Sequence, residues 1–228
     1  VAVGYEAMYS NQDGNRNTAV GGNALTSNTS GSYNTAIGLG SLGDNTTGSS
    51  NVAVGANALD GNTTGHSNIA VGRDALLVNT TGGANIAIGA DPLYSNTSGD
   101  YNVAIGSVAV GQLTTGFHNI GIGYNALKSV TTNSNNIAIG SNTAANATGS
   151  QNTAVGSGAA TNLTSGNYNT FLGYDAGDIT TTGSSNTYLG YDTEGSANSV
   201  SNETAIGANA IGQGSNTVTV GDDNVTAV

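Results

Sequence analysis

No cysteine and no tryptophan occur in the 228 residues, there is one proline, and only 7% of positions are charged. The missing thiols exclude disulfide staples and thiolate metal centres, and they leave the redox compartment unread. Three basic residues, Arg16, Arg73 and Lys128, stand against 14 acidic ones for a formal charge of −11, which opposes nucleic-acid phosphates and anionic membrane surfaces as partners. No apolar run approaches the roughly 20 residues needed to cross a bilayer, and nothing reads as a signal peptide. With 36 glycines, an ordinary globular core is not expected, and stability must come from repetition. The chain opens inside a repeat at Val1-Ala2-Val3-Gly4, as a mature region or fragment would.

What is abundant is a small apolar motif closing on glycine, at Gly4, Gly21, Gly38, Gly55, Gly72, Gly89, Gly106, Gly123, Gly140, Gly156, Gly173, Gly190, Gly207 and Gly221. The spacing is 17 residues, except 16 between Gly140 and Gly156 and 14 between Gly207 and Gly221. A short fixed period is the mark of a stacked coil. The expected fold is therefore all-β, a parallel β-solenoid or β-roll of 17-residue coils. Residues 1–206 form the regular array, and 207–228 a shorter coil and end cap of the same solenoid.

Asn68-Ile69-Ala70-Val71-Gly72, then Ala75-Leu76 and Asn79-Thr80-Thr81-Gly82, shows one period, long enough for two short strands and two turns. Strand alternation puts Ile69 and Val71 on one face and Asn68, Ala70 and Gly72 on the other. The branched residues are expected to face the core with Leu25, Leu42, Leu59, Leu76 and Leu93. Asn-Thr-Thr-Gly reads as a turn, since glycine and asparagine accept positive φ. Stacked at about 4.8 Å per coil, roughly 13 coils make a rod on the order of 60 Å long. Near Ala144, Ala160 and Gly177 the leucine column lapses, and Phe171, Leu172, Tyr188 and Leu189 are expected to supply apolar volume.

Glu203-Thr204-Ala205-Ile206-Gly207-Ala208-Asn209-Ala210 followed by Asn216-Thr217-Val218-Thr219-Val220-Gly221 resembles the YadA-like head repeat of trimeric autotransporter adhesins. The longer repeats are similar to those of phage and bacterial tail-fibre proteins. The resemblance covers nearly the whole chain and implies left-handed rolls assembled as a homotrimer, extracellular on a cell or virion surface or secreted, and touching a host or environmental surface such as a glycan. Most coils depart from the adhesin repeat by three extra residues, placed in the Asn-Thr-Thr-Gly corner. The 228 residues contain no membrane-anchor barrel, coiled-coil stalk or self-cleaving chaperone domain.

The candidate assembly or surface-binding strip is Asn34, Ala36, Asn51, Ala53, Asn68, Ala70, Asn85, Ala87, Asn102 and Ala104, read as outward, flat and uncharged. Small side chains there would let neighbouring chains approach closely; alternatively, an ordered strip would match an ordered ligand such as ice. Thr29, Thr46, Thr63, Thr80, Thr97, Thr114 and Thr131 form a second ladder, resuming at Thr148, Thr164 and Thr181. Threonine also simply suits strands, and Ser27, Asp44, Gly61, Val78 and Ser95, two residues earlier, form no matching column.

Asn-x-Ser/Thr sequons at Asn28, Asn45, Asn62, Asn79, Asn96, Asn146, Asn162, Asn202 and Asn224 offer a glycan row or follow from the turn sequence. Tyr33, Tyr101 and Tyr168 form a sparse row, and Asp222-Asp223 could attract ions weakly. His66 and His118 lie three coils apart, roughly 14 Å by strand spacing, too far to share a metal. The acids Asp44, Asp60, Asp74 and Asp91 occupy different coil positions, with no carboxylate pair for acid–base catalysis, and no nucleophile elbow, phosphate loop or nonapeptide calcium repeat is present. No enzyme activity, cofactor or metal is expected. A non-enzymatic fibre segment is the leading expectation, and an ice-binding solenoid the alternative.

Overall fold

The computed structural model describes residues 1–222. Fourteen short strands, from β1 (Ala2–Val3) and β2 (Thr18–Val20) through β9 (Ile137–Ile139), β10 (Thr153–Val155), β12 (Thr187–Leu189) and β13 (Thr204–Ile206) to β14 (Val218–Val220), follow one another along the chain. They form one sheet in sequence order, and every pairing is parallel. This is a β-solenoid with one strand per coil rather than two; turns make up the rest of each period, and no helix occurs among the described residues.

The irregular spacings leave the register intact. Ile137 pairs with Thr153 across the 16-residue coil, and Thr204 pairs with Val218 across the 14-residue coil. Both deletions fall outside the strands, because corners absorb a lost residue while a strand that slipped by one would reverse every side chain.

The interior reverses the orientation expected from the sequence. Ala36, Ala53, Ala70, Ala87 and Ala104 are fully buried, as are Asn34, Asn51, Asn68, Asn85 and Asn102, whereas Ile69, Val20, Ile88 and Ile105 stand exposed. Alternation identifies which residues share a face without stating which face is inside. A narrow coil has room for one large side chain, and Leu25, Leu42, Leu59, Leu76 and Leu93 fill it from the far wall. Only alanine then fits opposite, and the branched residues turn outward.

Asparagine faces inward because the coil must satisfy its own corner peptides. Asn68 Nδ2 donates to Gly82 O at 2.8 Å, and its Oδ1 accepts Asn85 N–H at 3.0 Å. This repeats from Asn17 to Asn186. A second buried ladder joins Asn28, Asn45, Asn62, Asn79 and Asn96 by side-chain amides at 2.7–2.8 Å. Beyond it the same column turns apolar at Leu113, Val130, Ala147 and Leu163, all fully buried, and offsets the shrinking leucine column at Ala144 and Ala160. Phe171 and Tyr188 then enter the core in alanine positions, while Leu172 and Leu189 stay outside, 45% and 40% exposed. Gly177 makes space for them, since a Cβ there would collide with the Phe171 ring.

The glycine that closes each strand is fixed by close approach. At Gly55 φ is +135°, and a Cβ would strike the carbonyl of Gly72 in the next coil. The leucine column is less expected: Leu25, Leu59 and Leu76 hold φ of 56°, a region a bulky residue enters only when its surroundings over-determine it.

Candidate functional surface

The expected strip of asparagines and alanines is interior, so it cannot meet a partner or a lattice. The sheet instead presents the alternate residues: Val52, Ile69, Ile86, Val103, Ile120 and Ile137 in one column, Val54, Val71, Ile88, Ile105, Ile122 and Ile139 in the next. No charged residue interrupts either column from β2 to β14. Threonine takes over the first column at Thr18, Thr35, Thr153, Thr170, Thr187 and Thr204. The unbroken parallel register of the strands makes this surface periodic.

Tyrosines border it. Tyr33, Tyr101 and Tyr168 immediately precede the column of buried asparagines that leads into the strands, and Tyr5, Tyr124, Tyr174 and Tyr191 follow the strand-closing glycines; all seven are more than half exposed. Tyr174 and Tyr191 stack, with ring centroids 5.7 Å apart. The row at Tyr33, Tyr101 and Tyr168 thus joins a larger set. The tyrosines that follow four of the strands were not singled out from the sequence, although their fixed distance from the strand glycine made them findable.

The threonine ladder lies at the surface, half-buried or exposed, but its hydroxyls are spent on the fold. Thr29, Thr46, Thr63, Thr80, Thr97 and Thr114 each donate to the corresponding carbonyl of the following coil at 2.9–3.1 Å. The next residue along supplies the open column that sequence reasoning missed. Ser30, Thr47, Thr64, Thr81, Ser98, Thr115, Thr132, Ser165 and Thr182 are exposed, and none of their hydroxyls takes part in a hydrogen bond within the chain.

Burial also corrects the glycan row. Asn28, Asn45, Asn62, Asn79 and Asn96 are inaccessible in the folded chain; their amides bond to neighbouring asparagines and corner glycines. Asn146, Asn162 and Asn202 remain on the surface, and Asn224 lies outside the described residues, as does Asp223. His66 and His118 are exposed on different coils, and His118 packs on Tyr101 and Phe117 with ring centroids 5.2 and 5.3 Å away. Arg73 pairs with Asp74 and Asp91 at 2.5 and 2.9 Å, so two of the scattered acids belong to a surface ion pair. Asp60 lies near Asp44 and Asp74, and burial, then the charge of Asp44, raises its carboxyl above the usual range. Among the described residues, no cluster of three or more His, Asp or Glu side chains could hold a metal ion.

Compared with known proteins, the chain matches no family, no curated protein and no solved structure.

Proposed function

We propose that the chain is a non-enzymatic structural segment of an extracellular fibre, in which copies associate as a homotrimer through the outward sheet face. The uncharged double column of aliphatic side chains carries this reading. The 13 strands β2–β14 each offer two outward residues, and a stable interface ordinarily uses about 20–30 residues a side. Charge depletion at the centre and tyrosine at the rim are the composition such interfaces favour. From β4 (Val52–Val54) to β9 both columns are wholly aliphatic, and a contiguous apolar patch of six strands is otherwise unusual on a soluble monomer. An identical face on a second copy matches it in pitch, coil for coil. The trimeric state and attachment to a cell or virion follow the adhesin and tail-fibre resemblance, with the strip moved from Asn/Ala to Val/Ile. Among the described residues the exposed acids lie off the sheet face, where mutual repulsion keeps finished fibres apart.

The test is absolute mass by light scattering after size exclusion, for the native chain and for Ile88→Lys with Ile105→Lys. The reading expects three copies for the native chain and one, still folded, for the variant. A native monomer sinks it.

The free hydroxyl column favours a second reading, ice binding through the corner. Nine uncharged hydroxyls, repeating at coil pitch with one gap at Gly149, can order water, and the Thr29 ladder stiffens the backbone beneath them. Here Thr64→Tyr with Thr81→Tyr should abolish adsorption to ice and leave mass unchanged. Native protein that stays in the liquid as ice grows rejects it.

A further inference from the structure

The asparagine column that begins at Asn17 ends in a carboxylate, Glu203. Its N–H keeps the ladder register, donating to Asn186 Oδ1 at 2.9 Å, but it has no amide to pass onward. Its oxygens instead accept the Tyr188 hydroxyl at 2.8 Å, Ser196 N–H at 3.1 Å and Gly214 N–H at 2.6 Å. One side chain thereby ties β12 to the two turns that follow it. Gly195 and Gly212 crowd around it: a Cβ at Gly212 would collide with the carboxylate, and one at Gly195 would lie 2.5 Å from the Tyr188 oxygen. Glu203 is the one fully buried charged side chain among the described residues, and no Lys, Arg or His follows Lys128 in the sequence. Its charge is held by donors alone. Burial by itself would raise the carboxyl, and the Gly214 amide, Tyr188 hydroxyl and Ser196 hold it below the usual range.

A second acid sits one turn earlier, in the column occupied elsewhere by leucine. Glu194 is half-buried, its main chain is paired with Ala210 and Gly212, and its Oε2 lies 3.4 Å from Ile179 N. The groups facing it are Asp178 and Asp192, both acids, and Tyr188. Burial first, then the hydrogen bond and charge of Asp178, push its carboxyl up to about 8.

We infer that residues 178–214 form a proton-operated closure within the last described coils of the solenoid, held shut by Glu203 as a carboxylate and Glu194 as a carboxylic acid. Acid removes the first condition. Glu203, titrating lower folded than unfolded, contributes stability that is complete above the ordinary carboxylate range and fades as pH falls through its folded value. Base removes the second. Glu194 is shifted upward, so its contribution is complete at low pH and is lost as pH rises through about 8. The segment opens at both extremes, while the coils spanning 120–172, which contain no carboxylate, stay closed. This inference is independent of association through the sheet face.

Hydrogen exchange of the whole chain, corrected for intrinsic rates and followed by peptide mass spectrometry from about pH 3.5 to 9.5, reads it directly. Protection within 178–214 should peak between the two transitions, with residues 120–172, which contain no carboxylate, unaffected. Glu203→Gln should lower protection there about tenfold or more at neutral pH and erase the acid transition, because an amide cannot accept all three donors. Tyr188→Phe, which removes one donor and keeps the rest, should move the acid transition to higher pH. Glu194→Gln should erase the alkaline transition alone. An acid transition that survives in Glu203→Gln, or loss of protection over 120–172 at the same pH, overturns the inference. So does protection over 178–214 that does not change with pH.

Discussion

Asn68→Ala tests the ladder that organises every coil. The substitution removes an acceptor from Asn85 N–H, 3.0 Å away, and a donor from Gly82 O, 2.8 Å away. Both partners are buried, and an unsatisfied buried backbone group costs about 1–3 kcal/mol, so the loss should be roughly 2–6 kcal/mol. The weaker contact from Asn85 Nδ2, at 3.2 Å, adds little because that amide keeps Gly99 O at 2.8 Å. Water entering the small void would recover part of the loss and favour the lower half of the range. The neighbouring Ser67→Ala changes an exposed side chain and should fall within about 0.5 kcal/mol of native. Urea unfolding followed by circular dichroism measures both, and local hydrogen exchange shows whether the damage centres on the coils around Asn68, as nearest-neighbour coupling requires. Equal midpoints for the two variants would refute the ladder as a source of stability.

Ala70→Lys should abolish folding of the central coils, since Ala70 has no exposure and an unpaired buried ammonium costs several kcal/mol; soluble, protected protein would contradict the inward assignment. Val71→Thr, on the opposite face of the same strand, should change urea stability of the monomer by less than about 1 kcal/mol. Asn62→Ala should destabilise bacterially produced protein by about 2 kcal/mol or more through the lost amide ladder, whereas Asn146→Ala should be close to neutral. That contrast, read from thermal unfolding, separates a packing role of the sequons from a glycan role.

The period, the parallel stacking and the leucine core were legible because glycine spacing and Leu25, Leu42, Leu59, Leu76 and Leu93 report them directly. The sidedness of the strand was not. Ile69-Ala70-Val71 ordinarily places its larger residues inside, and the rule fails where the far wall has already filled the coil. Asparagine at Asn51 or Asn68 misled for a related reason: polar side chains are usually solvated, but here they replace the missing partners of corner peptides. Turn signals located the Thr29 ladder at the surface, yet they could not show that its hydroxyls point to the next carbonyl and leave Thr47 and Thr64 free. The function of Glu203 was hidden because it occupies an asparagine position, and its meaning depends on donors that only folding assembles.

The face that joins copies is the central claim, and the absence of native cysteine allows a clean measurement. Ile88→Cys on the sheet face and Thr64→Cys on the corner are treated separately with a short bis-maleimide and analysed by denaturing electrophoresis. The account predicts cross-linked chains from Ile88→Cys and none from Thr64→Cys at equal concentration. Cross-linking through Thr64→Cys with none through Ile88→Cys would contradict it.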